Sequence, residues 1–145
     1  MWQLLVACLA IPLAVSLVFI AAPQLERDSR LDADVAITRW LTTHRSTPAD
    51  ELLPLCANAS FFAQANQLPP YPYLWVDHVR SARDAIPELR TLLGGSHAPK
   101  FVALYQPVRE CDTTGTVAKT LRDAYEPIAT VSGIPILRHR DVTVG

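Results

Sequence analysis

The chain has 145 residues, 13 lysines and arginines against 14 aspartates and glutamates, and a formal net charge of −1. Its basic residues are dispersed, which excludes the electrostatic footprint of a nucleic-acid partner. Twelve prolines against five glycines describe stiff connections within one small domain and exclude a flexible linker.

Every charged side chain lies beyond Leu25. Trp2 to Ala22 is almost wholly Leu, Val, Ala, Ile and Phe. As a helix that run would extend about 31 Å, close to the hydrocarbon thickness of a bilayer. The expected fold class is therefore α/β, with one N-terminal transmembrane helix over residues 1–25. A small mixed-sheet α/β domain over 26–145 follows it and ends in a β-hairpin. A cleaved secretory signal competes for the same run. Such a signal carries a basic n-region, which this chain lacks, although Ala21 and Ala22 supply small residues for cleavage. A lipoprotein anchor at Cys8 would need the apolar core before the cysteine, and here it follows. Pro12 sits better in a membrane helix than in a soluble one.

Beyond the apolar run, Ser29 and Asp32 resemble a capping box. Leu31 to Arg45 reads as a helix, because Ala33, Ile37, Trp40, Leu41 and His44 recur at three-to-four spacing. Thr47-Pro48 stops it. Glu51 to Cys56 reads as a strand, Asn58 to Gln67 as a short helix, Leu68 to Pro72 as a turn, and Tyr73 to Val76 as a short strand. Ala85, Ile86, Leu89, Leu92 and Leu93 mark a second amphipathic helix, closed by Gly94-Gly95. Phe101 to Gln106 is the clearest buried strand. Asp112 to Thr114 can cap a third helix carrying Val117, Leu121 and Tyr125. Ser132-Gly133 joins Pro127–Val131 to Ile134–His139 as a hairpin, and Pro135 assigns the last strand to an edge. The alternation of strands and helices predicts partly parallel strands.

No catalytic constellation stands out. His44, His78, His97 and His139 are scattered without metal-ligand spacing, and the sequence has neither a C-x-x-C pair nor a phosphate-binding glycine loop. No metal or cofactor is expected. Asn58-Ala59-Ser60 matches the glycosylation sequon, a tripeptide common by chance. Two features rise above this background. Cys56 and Cys111 each follow an expected strand; if those strands are parallel neighbours, both sulfurs reach one sheet edge and can form a disulfide. Two ordinary buried thiols are the alternative. The second feature is the segment Pro69-Pro70-Tyr71-Pro72-Tyr73-Leu74-Trp75-Val76-Asp77-His78. Tyr71, Tyr73 and Trp75 beside Asp77 and His78 suit stacking on a sugar face with hydrogen bonds to its hydroxyls. The same rings equally suit packing a loop on the core, or contact with lipid headgroups.

Several segments together resemble the C-terminal end of bacterial GT-C-type membrane glycosyltransferases, the dolichyl-phosphate-mannose-protein mannosyltransferase-like superfamily. They are Val35 to Leu41, Pro69 to Trp75, Lys100 to Gln106, Tyr125 to Ala129, and Gly133 to Arg138. The resemblance implies a last membrane helix followed by a small extracytoplasmic α/β tail. It implies no catalytic residue here, because the family's acidic catalytic loop belongs to a part without counterpart in this sequence. Arg27, Arg30 and Arg39 follow the apolar run and no lysine or arginine precedes it, which by itself favours an internal domain. Earlier helices of a parent enzyme would set the opposite orientation.

The first functional expectation is thus a membrane-anchored tail domain of a lipid-phosphate-sugar-dependent glycosyltransferase, as a fragment or split subunit, non-catalytic alone. The alternatives are an autonomous single-span module binding glycan or lipid-linked sugar, and a subunit active only with a multi-span partner. The expected partners are membrane lipid, a multi-span glycosyltransferase subunit or a lipid-linked sugar, at the cell membrane.

Overall fold

A computed structural model describes residues 29–47, 50–57 and 59–140. The chain divides into two compact units at Asp32/Ala33. Of the first, only residues 29–32 are described, and they are helical. The second unit is built on a four-stranded sheet whose order along the sheet is β1-β2-β4-β3. The strands are β1 (Leu52–Leu55), β2 (Phe101–Leu104), β3 (Tyr125–Val131) and β4 (Ile134–His139). β1 and β2 run parallel, while β2–β4 and β3–β4 are antiparallel.

This fold corrects the expected class. The described residues form a small mixed α/β domain, and no helix among them is long and apolar enough to cross a membrane. Residues 1–25, on which the spanning helix was placed, lie outside the described residues, as do Pro48 and Asn58. The helix that is described next, α1 over residues 29–44, is amphipathic. Ala33, Ile37 and Leu41 are buried at four-residue spacing while Arg30, Asp32 and His44 stay exposed, so it presents one stripe to a protein core, with Asp34 the charged residue buried beside it.

The parallel half of the sheet is its dry centre. All four residues of β1 and the first three of β2 are buried, as strands covered on both faces must be. Trp40 of α1 sets its ring edge against Phe101, with centroids 5.2 Å apart. β1 is an edge strand, yet its backbone is not left open. The Gln67 amide donates to Leu52 O at 2.9 Å and accepts from Leu52 N–H at 3.3 Å, pairing with it as a neighbouring strand would.

The remaining helices are α2 (Ser60–Ala65), α3 (Val76–Ser81), α4 (Ala85–Gly94) and α5 (Thr116–Ala124). α3 replaces the strand expected over Tyr73 to Val76. Trp75 is still extended, but Val76 begins a six-residue helix that buries Val79. α4 buries Ala85, Leu89 and Leu93 and packs against α5. A Cβ at Gly95, just beyond α4, would lie 2.7 Å from the Thr91 carbonyl oxygen, so sterics select glycine at a position whose backbone is extended. Tyr125 does not extend α5; it opens β3, buried, with its hydroxyl donating to Pro99 O at 3.0 Å.

The hairpin turns on Ser132 and Gly133, both with positive φ, as a type I′ turn requires. Pro135 does not place β4 at an edge, because β4 lies between β2 and β3. The physical reason is register. The β2–β4 ladder ends at Ala103–Ile136, so Pro135 lies just beyond the paired residues, where its missing N–H interrupts no ladder bond. The edge strand on this side of the sheet is β3, whose register against β4 shifts between Pro127 and Ala129.

Candidate functional site

The aromatic segment Pro69 to His78 enters α3 along the domain surface. Tyr71 is 4% exposed, and its hydroxyl donates to the Ala85 carbonyl at 2.7 Å. Burial, then the nearby Tyr73 and Glu88, push its phenol well above the ordinary tyrosine range, so it stays a neutral donor. Tyr73 packs beside it with ring centroids 5.2 Å apart. The space enclosed by Leu53, Cys56, Phe62, Tyr71, Trp75 and their neighbours is only about 10 Å³. A sugar ring cannot enter there; the loop is a filled strut. The outer candidates differ. Trp75 is 46% exposed, and the His78 ring meets it edge-on at 4.9 Å. Asp77 and His78 are exposed on α3. The five residues thus share one segment but not one cavity.

Cys56 and Cys111 are joined in a disulfide with Cα atoms 5.8 Å apart. β1 and β2 are parallel neighbours, so the residues leaving their C-terminal ends emerge on the same side. Cys56, with φ of 56°, turns the chain immediately after β1. Cys111 follows a 3₁₀ turn over Val108–Glu110. The bond fixes the segment that leads into α5.

That segment forms one wall of a cleft of about 540 Å³. The facing wall is the corner between α3 and α4, and Arg80, Arg83 and Arg90 line it with Ile86 and Pro87. The second wall carries Cys111, Asp112, Thr113, Thr114 and Thr116. None of the three arginines makes a hydrogen bond or ion pair among the described residues, and the Thr113 hydroxyl makes none either.

Asp112, 2% exposed, is the one carboxylate on the lining, and its oxygens are already engaged. Oδ1 accepts from Thr114 N–H at 2.8 Å and from the Thr114 hydroxyl at 2.5 Å, while Oδ2 accepts from Val117 N–H at 2.7 Å. Burial opposes its charge. The Thr114 hydroxyl and the backbone N–H groups of Val117, Thr114 and Gly115 outweigh that and hold the carboxyl below the usual carboxylate range. The N-cap position of α5 is Gly115, which has no side-chain cap; Asp112, three residues earlier, serves the helix start as an anion by accepting from Val117 N–H in the first turn.

No family model, curated protein or solved structure matches the chain. Its function is read from its own residues.

Two polar networks away from the cleft are structural and were not foreseen. Asp34, 2% exposed, accepts from Ser60 Oγ at 2.6 Å and from the Tyr105 hydroxyl at 2.5 Å, tying α1 to α2 and to the end of β2. Lys100 meets Asp50 at 2.6 Å beneath the loop that enters β1. Among the described residues no group of three His, Cys, Asp or Glu side chains is placed to hold a metal ion. The arginine cleft also escaped the sequence reading. The signal available for it was the spacing Arg83, Pro87, Arg90, which places an arginine in the turn before α4 near the one on its Pro87–Arg90 face.

Proposed function

We propose that the chain is an extracytoplasmic tail domain of a lipid-phosphate-sugar-dependent glycosyltransferase. It carries no catalytic group of its own and works beside a multi-span partner at the cell membrane. The observation that carries this reading is the Cys56–Cys111 disulfide, because such a bond persists in an oxidising compartment and not in the cytosol. The segments that resemble the superfamily support it. Val35 to Leu41 lies in α1, Pro69 to Trp75 is the loop that enters α3, and Lys100 to Gln106 contains β2. Tyr125 to Ala129 and Gly133 to Arg138 fall in the hairpin that completes the sheet.

Tagged chain recovered from its own membranes should bring down a multi-span glycosyltransferase, and transfer from a polyprenyl-phosphate sugar should require that partner. Transfer by the purified chain alone, abolished by one substitution within residues 29–140, would defeat this proposal. An autonomous glycan-binding module is the second reading, favoured by the exposed Trp75 beside His78. It predicts retention on immobilised glycan without any partner, lost in Trp75→Ala.

A further inference from the structure

We propose that the cleft between the α3–α4 corner and segment 111–116 binds a phosphate-bearing ligand of sugar-phosphate size, gripped by Arg80, Arg83 and Arg90. This goes beyond the tail-domain reading and does not depend on it.

Three arginines line one concavity in a protein whose net charge is −1. They repel one another there, and none has an anionic partner among the described residues. Asp112 forms no ion pair with them, and three donors of its own segment already engage its oxygens. A concave surface with one sign of charge concentrates counter-ions of the other. Arginine forks match the paired oxygens of a phosphoryl group, and three forks exceed what a single carboxylate can accept.

The rest of the cleft specifies more than a bare anion. Its volume, about 540 Å³, exceeds what a phosphate needs and falls within the range of small-molecule sites, roughly 300–1,000 Å³. The free Thr113 hydroxyl can bond to a sugar hydroxyl, and Ile86 with Pro87 offers an apolar strip to a ring face. The disulfide starts the second wall at Cys111, so that wall is fixed before ligand arrives, which lowers the ordering cost of binding.

A sugar phosphate can be free in solution or the headgroup of a prenyl lipid, and the test separates the two. The oxidised full chain is titrated calorimetrically with inorganic phosphate, a hexose 1-phosphate, and a water-soluble short-chain prenyl-phosphate hexose. One of the two sugar-bearing probes should saturate with Kd below about 1 mM. Tighter binding of the hexose 1-phosphate identifies a soluble ligand; tighter binding of the prenyl compound identifies a lipid headgroup. Arg83→Ala and Arg90→Ala should each weaken it by about tenfold or more, the usual loss for a charge-assisted hydrogen bond. Arg122→Ala, on the exposed side of α5 and outside the cleft, should leave it unchanged. Both cleft arginines are exposed, so melting curves should match wild type; Arg83→Gln substitutes if the alanine variant melts lower. No saturation by either sugar-bearing probe at about 10 mM overturns the proposal. Equal affinity for inorganic phosphate overturns it, and so does equal weakening by Arg122→Ala. Failure here with a multi-span partner still co-purifying leaves the tail-domain reading standing; a bound sugar phosphate with no such partner does the reverse.

Discussion

Removing the Cys56–Cys111 bond should cost this domain much of its stability. The two cysteines are 55 positions apart. In the loop-entropy model, closing a loop of that length lowers the unfolded-state entropy by about 14 cal/mol/K, or about 4 kcal/mol at 25 °C. Small domains have only about 5–15 kcal/mol in total. Unfolding entropy of about 2.1 cal/mol/K per residue, over roughly 110 residues, converts that loss to a fall in Tm of about 18 °C. Both cysteines are buried, so Cys56→Ala/Cys111→Ala also loses some packing, and the cleaner comparison is wild type before and after reduction. Peptide mapping without reductant should show Cys56 linked to Cys111, and scanning calorimetry in dithiothreitol should show the drop. Oxidised and reduced protein melting within about 5 °C of each other would refute the entropy argument, since that gap corresponds to little more than 1 kcal/mol. Free thiols in protein taken from cells would remove the observation on which the extracytoplasmic reading stands.

Two further substitutions separate packing from ligand binding. Tyr71→Phe should cost about 0.5–1.5 kcal/mol, because the Ala85 carbonyl it leaves keeps its helical partner, whereas Tyr71→Ala should cost about 3–5 kcal/mol by emptying the core; urea titration reads both, and loss of glycan retention without loss of stability would contradict the strut. Asp112 predicts an acid limb. Its folded pKa lies below the unfolded value of 3.8, so between the two the unfolded state binds the extra proton and stability rises with pH. That contribution is complete above pH 3.8 and disappears as pH falls through the lower, folded value. Asp112→Ala should be less stable at neutral pH by about 0.5–2 kcal/mol, the range for a helix-start acceptor replaced by alanine, and the gap to wild type should narrow as pH drops below 3.8. A gap that stays constant into strong acid would assign the acceptor's effect to shape instead of charge.

The longer elements were legible because periodicity and punctuation agree in them. Ala33, Ile37 and Leu41 define α1, Leu89 and Leu93 define α4, and Val117 with Leu121 defines α5, each at four-residue spacing. Ser132-Gly133 announces its own turn through two positive φ values. α3 was not legible, because six residues give fewer than two turns, and Tyr73 to Val76 has the aromatic and β-branched composition of a strand. Strand order was also out of reach. Pro135 correctly signals a missing donor, but whether that excludes an interior strand depends on how far β2 runs alongside β4, and β2 is only four residues long.

The aromatic segment and the cleft show opposite limits of reading a site from sequence. Tyr71, Tyr73 and Trp75 attract notice because their side chains are chemically conspicuous, but the alternation that makes them look like a ladder turns Tyr71 into the core and leaves Trp75 out. Arg83 and Arg90 attract none, because charges in the turn before a helix and on its outer face normally mean a solvated surface. What changes their meaning is the second wall. Segment 111–116 is remote in sequence, and it is brought to α4 by the packing of α5 on α4, with Cys111 tied to Cys56 at the end of the neighbouring strand. Neither fact is a property of the arginines. The bond that starts that wall is also the observation on which the proposed extracytoplasmic placement rests. Reduction of the two cysteines therefore probes the cleft wall and the proposed external location together, whereas the arginine substitutions probe the cleft alone.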